Sequence, residues 1–258
     1  MGKIIPAQRR HRILDLLRQG ESLTVKDISG LMGVSLATVR RDLDEMGRKG
    51  LVERTHGGAV LTAAQGTTFE PPYAVSSREA LAEKEAIARA AVESLNDGQS
   101  VILDSGSTVM ELARCILHKG LRLTIVTNDI LLAGLFSNSA GVRLIVPGGT
   151  LRVGSPTLLG EPGLGFVQSL NVDAAYIGIH AIAGRKLCDT TIEVALMKRR
   201  MVAAARRVVL LADSSKFGRT AFCEACDIGD VAEVVTDRKL SPEVAARYEE
   251  MGLTVTRA

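Results

Sequence analysis

A chain of 258 residues with 46% hydrophobic content is long enough for two domains and apolar enough for folded cores, so disorder is not the default. The net charge of +3 is unevenly spread: residues 1–61 carry 11 lysines and arginines against 7 acidic residues, leaving +4 there and −1 on the remainder. Tryptophan is absent and aromatic residues make up 3%, which argues against base stacking on single strands. No apolar run reaches bilayer length and no leader-like apolar region follows the N-terminus, and four cysteines give no disulfide framework, so a cytoplasmic protein with no membrane partner is expected.

Residues 8–18 gather Ile13, Leu14, Leu16 and Leu17 on one side among arginines, the pattern of a first helix ended by Gly20. A second helix is expected over residues 24–31, capped by Thr24, with Val25, Ile28 and Leu31 inward. Met32-Gly33-Val34 then turns tightly, because Gly33 has no Cβ to clash at positive φ. Ser35 caps a third helix that runs to about Arg48 and ends at Gly50. Leu36, Val39, Leu43 and Met46 share its inner face, while Ala37, Thr38, Arg40 and Arg41 point outward.

Helix, tight turn and a second helix with small polar residues and two arginines at its start is a layout that suits a major groove. Ser35, Ala37, Thr38, Arg40 and Arg41 are therefore the candidate contacts to double-stranded DNA. Two extended runs bracket Gly57-Gly58 as a hairpin, which makes residues 1–61 a winged helix-turn-helix, mainly α. Arg54 and His56 in that wing are candidates for phosphate or minor-groove contact, although exposed wing charge without specificity reads the same way. The positive excess falls on this domain, as an electrostatic footprint for phosphate requires.

Residues 62–77 are small, polar and interrupted by Pro71-Pro72, and are expected to form a linker without a regular helix. Over residues 78–258, apolar runs at 101–103, 123–126, 142–146, 174–179, 208–211 and 231–235 read as strands. Helical segments at 78–95, 108–117, 130–136, 193–205 and 242–251 lie between them. Near-continuous apolar strands alternating with helices predict an α/β domain whose mostly parallel sheet is covered on both faces.

Ligands of such sheets bind beyond the carboxyl ends of the strands, so the strand-end loops are the candidate site. Asp104-Ser105-Gly106-Ser107-Thr108 follows the first strand and opens a helix, offering unpaired N–H groups, hydroxyls and a positive dipole end to a phosphate. An ordinary capped turn would carry the same residues. Asp104 repels phosphate and is assigned to a sugar hydroxyl or to orienting the loop. Thr127 and Asn128, Gly148 and Gly149 with Arg152, His180, and Asp213 with Lys216 stand at the other strand ends, giving two cations and several hydroxyl acceptors. Lys198-Arg199-Arg200 reads as a solvated basic stretch. Cys223 and Cys226 have C-x-x-C spacing but no second ligand pair, so no metal or cofactor is expected.

Ser35-x-x-Thr38-Val39-Arg40-Arg41-Asp42-Leu43, the spacing Arg9-x₃-Ile13-x₃-Leu17, Arg54-Thr55-His56-Gly57-Gly58-Ala59 and Glu70-Pro71-Pro72 together resemble the DeoR family of bacterial transcription regulators. Leu103-Asp104-Ser105-Gly106-Ser107-Thr108, Val126-Thr127-Asn128, Gly148-Gly149-Thr150-Leu151-Arg152 and 212–218 resemble its sensor motifs. The resemblance covers nearly the whole chain. It implies a sensor fold like that of the sugar-phosphate isomerase and CoA-transferase group, control by a phosphorylated sugar effector, repression of a carbohydrate-use operon, and a homodimer or higher homo-oligomer. It also adds Glu193 to the effector residues. Lys186-Leu187-Cys188-Asp189-Thr190-Thr191 departs from the Gly-Leu-Thr-Thr-Pro-like segment common in the family, and His180 stands where an Asp is common. The expectation is a non-enzyme; the alternative is an isomerase-like enzyme with an attached DNA-binding domain, for which Glu193 and Asp189 are the candidate bases.

Overall fold

In a computed structural model that describes residues 5–19, 23–55, 57–61, 67–71 and 73–258, the chain divides into two units, Met1–Gly66 and Thr67–Ala258. In the first, α1 (Pro6–Gln19), β1 (Leu23–Thr24), α2 (Val25–Met32), α3 (Leu36–Arg48), β2 (Val52–Arg54) and β3 (Gly58–Leu61) follow in order. The strands pair antiparallel in the order β1-β3-β2. Ile13, Leu17, Ile28, Val39, Leu43 and Met46 form the buried centre. Thr24 and Asp27 complete a capping box at the start of α2, and Gly33 ends that helix at φ 63°.

Two apolar residues lie elsewhere than expected. Leu31 is 58% exposed, and Met32 takes the inward place with Val25 and Ile28, because an i, i+3, i+7 stripe from Val25 reaches residue 32 and leaves 31 off the face. Leu36 is 40% exposed at the first helical position, where the side chain leans beyond the turn that neighbouring helices cover.

The second unit contains α4 (Tyr73–Ser76), α5 (Leu81–Ala91), β4 (Ser100–Leu103), α6 (Ser107–Lys119), β5 (Leu123–Thr127), α7 (Ile130–Phe136), β6 (Val142–Ile145), β7 (Thr150–Leu151), β8 (Leu158–Leu159) and α8 (Gly163–Gln168). It continues with β9 (Ala174–Ile177), β10 (Ala181–Ala183), β11 (Lys186–Asp189), α9 (Ile192–Ala203), β12 (Val208–Leu211), β13 (Cys223–Asp227), β14 (Glu233–Thr236), α10 (Pro242–Glu249) and β15 (Thr254–Arg257). Seven strands form a parallel sheet in the order β15-β14-β12-β9-β4-β5-β6. Alternate residues face opposite layers. Ile102 packs with the α8–α10 side, among Val167, Met197 and Tyr248, while Val101 and Leu103 pack with the α5–α7 side, among Ile87, Leu112 and Phe136. Strand order reverses between β4 and β9, and the crevice beyond their carboxyl ends is where ligands of open sheets bind.

The expected linker is partly helical. Tyr73–Ser76 makes one helical turn within the stretch expected to be irregular. The helix expected from residue 78 starts at Leu81, because Ala80 sits at φ 49° and breaks the helical path. A three-stranded antiparallel sheet, β10-β11-β13, and the hairpin β7-β8 were not anticipated. No helix among the described residues is long and apolar enough to cross a membrane.

Gly58 tests the wing directly. A Cβ there would lie 2.0 Å from the Leu23 carbonyl oxygen, inside the β1-β3 pairing. Gly58→Ala is expected to destabilise the first unit by about 1–3 kcal/mol, read from urea unfolding followed by circular dichroism, and a change near zero would contradict this packing.

Candidate functional site

On α3, the Ser35 hydroxyl accepts from the Thr38 N–H at 3.2 Å and lies 2.9 Å from the Thr38 hydroxyl. Ala37, Arg40 and Arg41 are exposed, and Thr38 is half-buried. Among the described residues, neither Arg40 nor Arg41 is paired with a carboxylate. The three carboxylates of this helix are each paired with an arginine. Arg9 binds Asp42 through two nitrogens at 2.5 and 3.1 Å, and Arg10 pairs with Glu45, so α1 neutralises two of the three carboxylates of α3. Arg54 in β2 lies 3.4 Å from Asp44. His56 lies outside the described residues.

The second unit encloses a cavity of about 360 Å³. Of the expected effector residues, Ser105, Gly106, Ser107, Thr108, Arg152, His180, Asp213 and Lys216 line it. Gly106 caps α6 without a side chain of its own; its N–H is taken by the Asp129 carboxylate, while among the described residues no side chain accepts from the N–H groups of Ser107, Thr108 and Val109, which leaves those open to an anion.

The remaining expected residues do not line it. Asp104 is 1% exposed beneath the loop, where it accepts from the Gly178 N–H at 3.1 Å and pairs with Lys198; it orients the floor of the cavity. Asn128 and Gly149 support the β7-β8 hairpin instead, Gly149 lying too close to the Leu159 backbone for any side chain, while the Thr127 hydroxyl accepts from the Asp129 N–H and Gly148 faces Pro162. Asn128 donates from Nδ2 to the Leu158 carbonyl at 3.0 Å and accepts from the Leu158 N–H at 2.7 Å, and Asp129 bridges Thr157. That hairpin delivers Arg152 to the cavity. Glu193 is exposed on the outward side of α9 and absent from the cavity wall, because Val194, Ala195 and Met197 claim the inward face.

Two lysines were missed. Lys198 is no part of a solvated stretch: it is 3% exposed, pairs with Asp104, lies 3.7 Å from Asp189 and donates to the Gly178 carbonyl at 2.9 Å. Burial alone would push its ammonium down, but the two carboxylates outweigh that and raise it, so it stays charged. Burial raises the Asp189 carboxyl, with Lys198 pulling the other way. Lys84 donates to the Ser76 carbonyl at 2.5 Å and to the Glu79 carbonyl at 2.7 Å. Burial lowers it to about 8, against the pull of Asp213. Burial, then the neighbouring charge of Lys216, lowers His180 to about 4, so it is a neutral donor or acceptor at neutral pH. Lys216 has no carboxylate partner among the described residues. Lys84, Lys216, Arg152 and the open end of α6 thus face one space, an arrangement that suits a phosphate.

Cys223 and Cys226 sit on β13, and burial raises both thiols, Cys226 to about 12, the reverse of what a reactive thiolate needs. Among the described residues no cluster of His, Cys, Asp and Glu could hold a metal ion.

Lys198→Met is expected to cost about 3–5 kcal/mol in urea unfolding, since it strands two buried carboxylates. Adding Asp104→Asn should recover part of that loss; equal stability of Lys198→Met and the parent would contradict the buried pairing.

Residues 9–65 match the model of the DeoR-like helix-turn-helix domain, and residues 79–238 match that of the DeoR C terminal sensor domain. The HTH-type transcriptional regulator GlpR of Haloferax volcanii is 36% identical over 253 residues, which is 98% of each chain. A putative aga operon transcriptional repressor of Escherichia coli O157:H7 is 32% identical over 250 residues, 96% of this chain and 93% of that protein. A solved ribose 5-phosphate isomerase A from Methanocaldococcus jannaschii is similar over 54% of this chain and 55% of its own, at 18% identity and a TM-score of 0.40.

Proposed function

The chain belongs to the DeoR family of transcriptional regulators, and on that premise we propose that it represses a carbohydrate-use operon by binding operator DNA through α3, under the control of a phosphorylated sugar held in the cavity of the second unit. The observation that carries the DNA half is the start of α3. Arg40 and Arg41 are exposed and have no carboxylate partner among the described residues, while Asp42 and Glu45 are neutralised by α1 and Asp44 by Arg54. The observation that carries the effector half is the convergence of Lys84, Lys216 and Arg152 on the open end of α6. A homodimer or higher homo-oligomer in the cytoplasm completes the reading, and chemistry at the sugar is no part of it: of the two candidate bases, Glu193 lies off the cavity, and Asp189, which lines it, is tied to the buried ammonium of Lys198.

Arg40→Ala and Arg41→Ala are the direct test of the DNA half. At a bidentate guanine contact the loss is about 1–3 kcal/mol and specificity relaxes at one base pair. At a phosphate the loss is uniform across sequences and the salt dependence flattens. Gel-shift titrations at several salt concentrations separate the two, and unchanged affinity in both variants refutes this placement.

Anion binding should depend on pH through Lys84. Its ammonium is lowered to about 8, so it is charged at neutral pH and loses its proton as pH rises through that value. Affinity for a sugar phosphate, measured by calorimetry, is therefore expected to fall between about pH 7 and pH 9. Lys84→Met should bind weakly and lose that pH dependence. Ser107→Ala with Thr108→Val tests the helix end of the site, and binding equal to the parent would remove that loop from it.

A further inference from the structure

Two of the cations facing the cavity are already occupied, and the same stretch of chain occupies both. Arg152 donates to the Glu70 carboxylate at 2.5 Å, and the Thr190 hydroxyl donates to the same oxygen at 2.8 Å. Lys84 donates to the carbonyls of Ser76 and Glu79. The Phe222 N–H donates to the Thr67 carbonyl at 2.9 Å, which anchors the beginning of the stretch to the chain leading into β13. Its far end is Ala80, at φ 49° and ψ 38°, the one non-glycine residue at positive φ among those described. A left-handed alanine is strained and persists only where its surroundings impose it. Glu70, Tyr73, Ser76 and Glu79 all line the cavity, so this stretch is one of its walls.

An entering anion thus meets a site in which Lys216 and the open end of α6 are available, whereas Arg152 and Lys84 are bound to internal acceptors. Glu70 occupies Arg152 as an anion that the chain itself supplies. Ligand and carboxylate compete for one guanidinium, and ligand and backbone carbonyls compete for one ammonium.

We propose that residues 67–80 are a strap held over the cavity by Arg152 and Lys84, and that a phosphate-bearing ligand binds by taking those two cations from the strap and releasing it. The inference rests on reading the cavity as an anion site. The strap begins where the second unit begins, so its release changes the chain segment that leads back toward α3. Occupancy then has a physical means of altering DNA affinity, and the coupling is reciprocal: DNA that favours the held strap weakens anion binding by the same factor.

Hydrogen exchange on the full-length protein, with inorganic phosphate as the probe, tests this. The N–H groups of Ser77, Arg78 and Glu79 are the reporters, since each is hydrogen-bonded inside the strap. Without phosphate, Glu70→Gln is expected to exchange faster than the parent over residues 67–80, while Glu70→Asp, which keeps the charge, stays closer to the parent. Saturating phosphate should speed exchange there in the parent and add little in Glu70→Gln. Phosphate affinity in Glu70→Gln should rise by about fivefold or more, a gain that Arg152→Gln removes in the double variant. Tighter phosphate binding with no change in exchange would mean that Glu70 acts through its charge alone, and would overturn the strap. Equal affinity and equal exchange in parent and Glu70→Gln would overturn it as well. Faster exchange in Glu70→Gln with no phosphate binding in any variant would keep the latch and refute the anion site, so the two readings fail separately.

Discussion

The buried ammonium of Lys198 is the constraint on which the second unit turns. From α9 it reaches the Asp104 carboxylate after β4, the Gly178 carbonyl after β9 and the Asp189 carboxylate at the end of β11. A charge at this depth is tolerable when its partners are present and costs several kcal/mol when they are not. Three segments far apart in sequence must therefore arrive together, and they do so at the point where strand order reverses. The floor of the cavity is fixed by this cluster before any ligand is considered. Asp104, an acidic residue in a loop suited to phosphate, is thereby turned away from the ligand and spent on the floor.

The rest of the cavity distributes charge with the same economy. His180 is kept neutral by burial and by Lys216, so it adds hydrogen-bonding capacity without a charge. Lys84 keeps its proton at neutral pH against its burial, with Asp213 pulling in its favour. A cation held in that condition gains from any anion that comes near it. Arg152 is satisfied by Glu70, whose own carboxyl burial would raise but which the hydrogen bond and charge of Arg152, with Thr190, bring below the ordinary carboxylate range. One side of the cavity is thus locked by a buried cluster, and the opposite side is closed by contacts that an anion can replace.

The layers of this fold were legible because burial writes a period into the sequence. The strands of the seven-stranded sheet from β4 to β14 carry apolar runs, and α7 begins and ends where its apolar run does. β15 escaped because it is an edge strand of Thr, Val, Thr and Arg, with little burial to mark it. β10, β11 and β13 escaped because their pairing is long-range and β11 and β13 carry Lys186, Asp189 and Glu224 among their apolar residues. At the site, the strand-end loops were legible as a class but not by role. Thr127, Asn128, Gly148 and Gly149 have the look of ligand contacts, but they lie off the cavity, where Asn128 and Gly149 support a hairpin. Lys198 was hidden by Arg199 and Arg200 beside it. Its spacing did carry a signal, since it stands four residues after Val194 and three before Met201, both buried, and so lies on the inward stripe of α9. A basic run is solvated residue by residue, and periodicity through the run is the test that separates its members.

The same logic explains how α3 presents a positive face although its composition is mixed. Arg40-Arg41-Asp42 places a carboxylate directly after two arginines, and Asp44 and Glu45 follow. Left exposed together, those acids would oppose any approach to phosphate. Asp42 falls on the buried stripe with Val39, Leu43 and Met46, where Arg9 meets it with two hydrogen bonds, and Arg10 takes Glu45. Two of the basic residues of α1 are therefore not available to DNA. Their role is to remove negative charge from the neighbouring helix; among the described residues Arg40 and Arg41, near the Ser35 cap, and Arg48, at the far end, then have no carboxylate partner. The excess of basic residues in this part of the chain overstates the number of phosphate contacts. It is the pairing across α1 and α3, more than the count, that decides where the positive face lies.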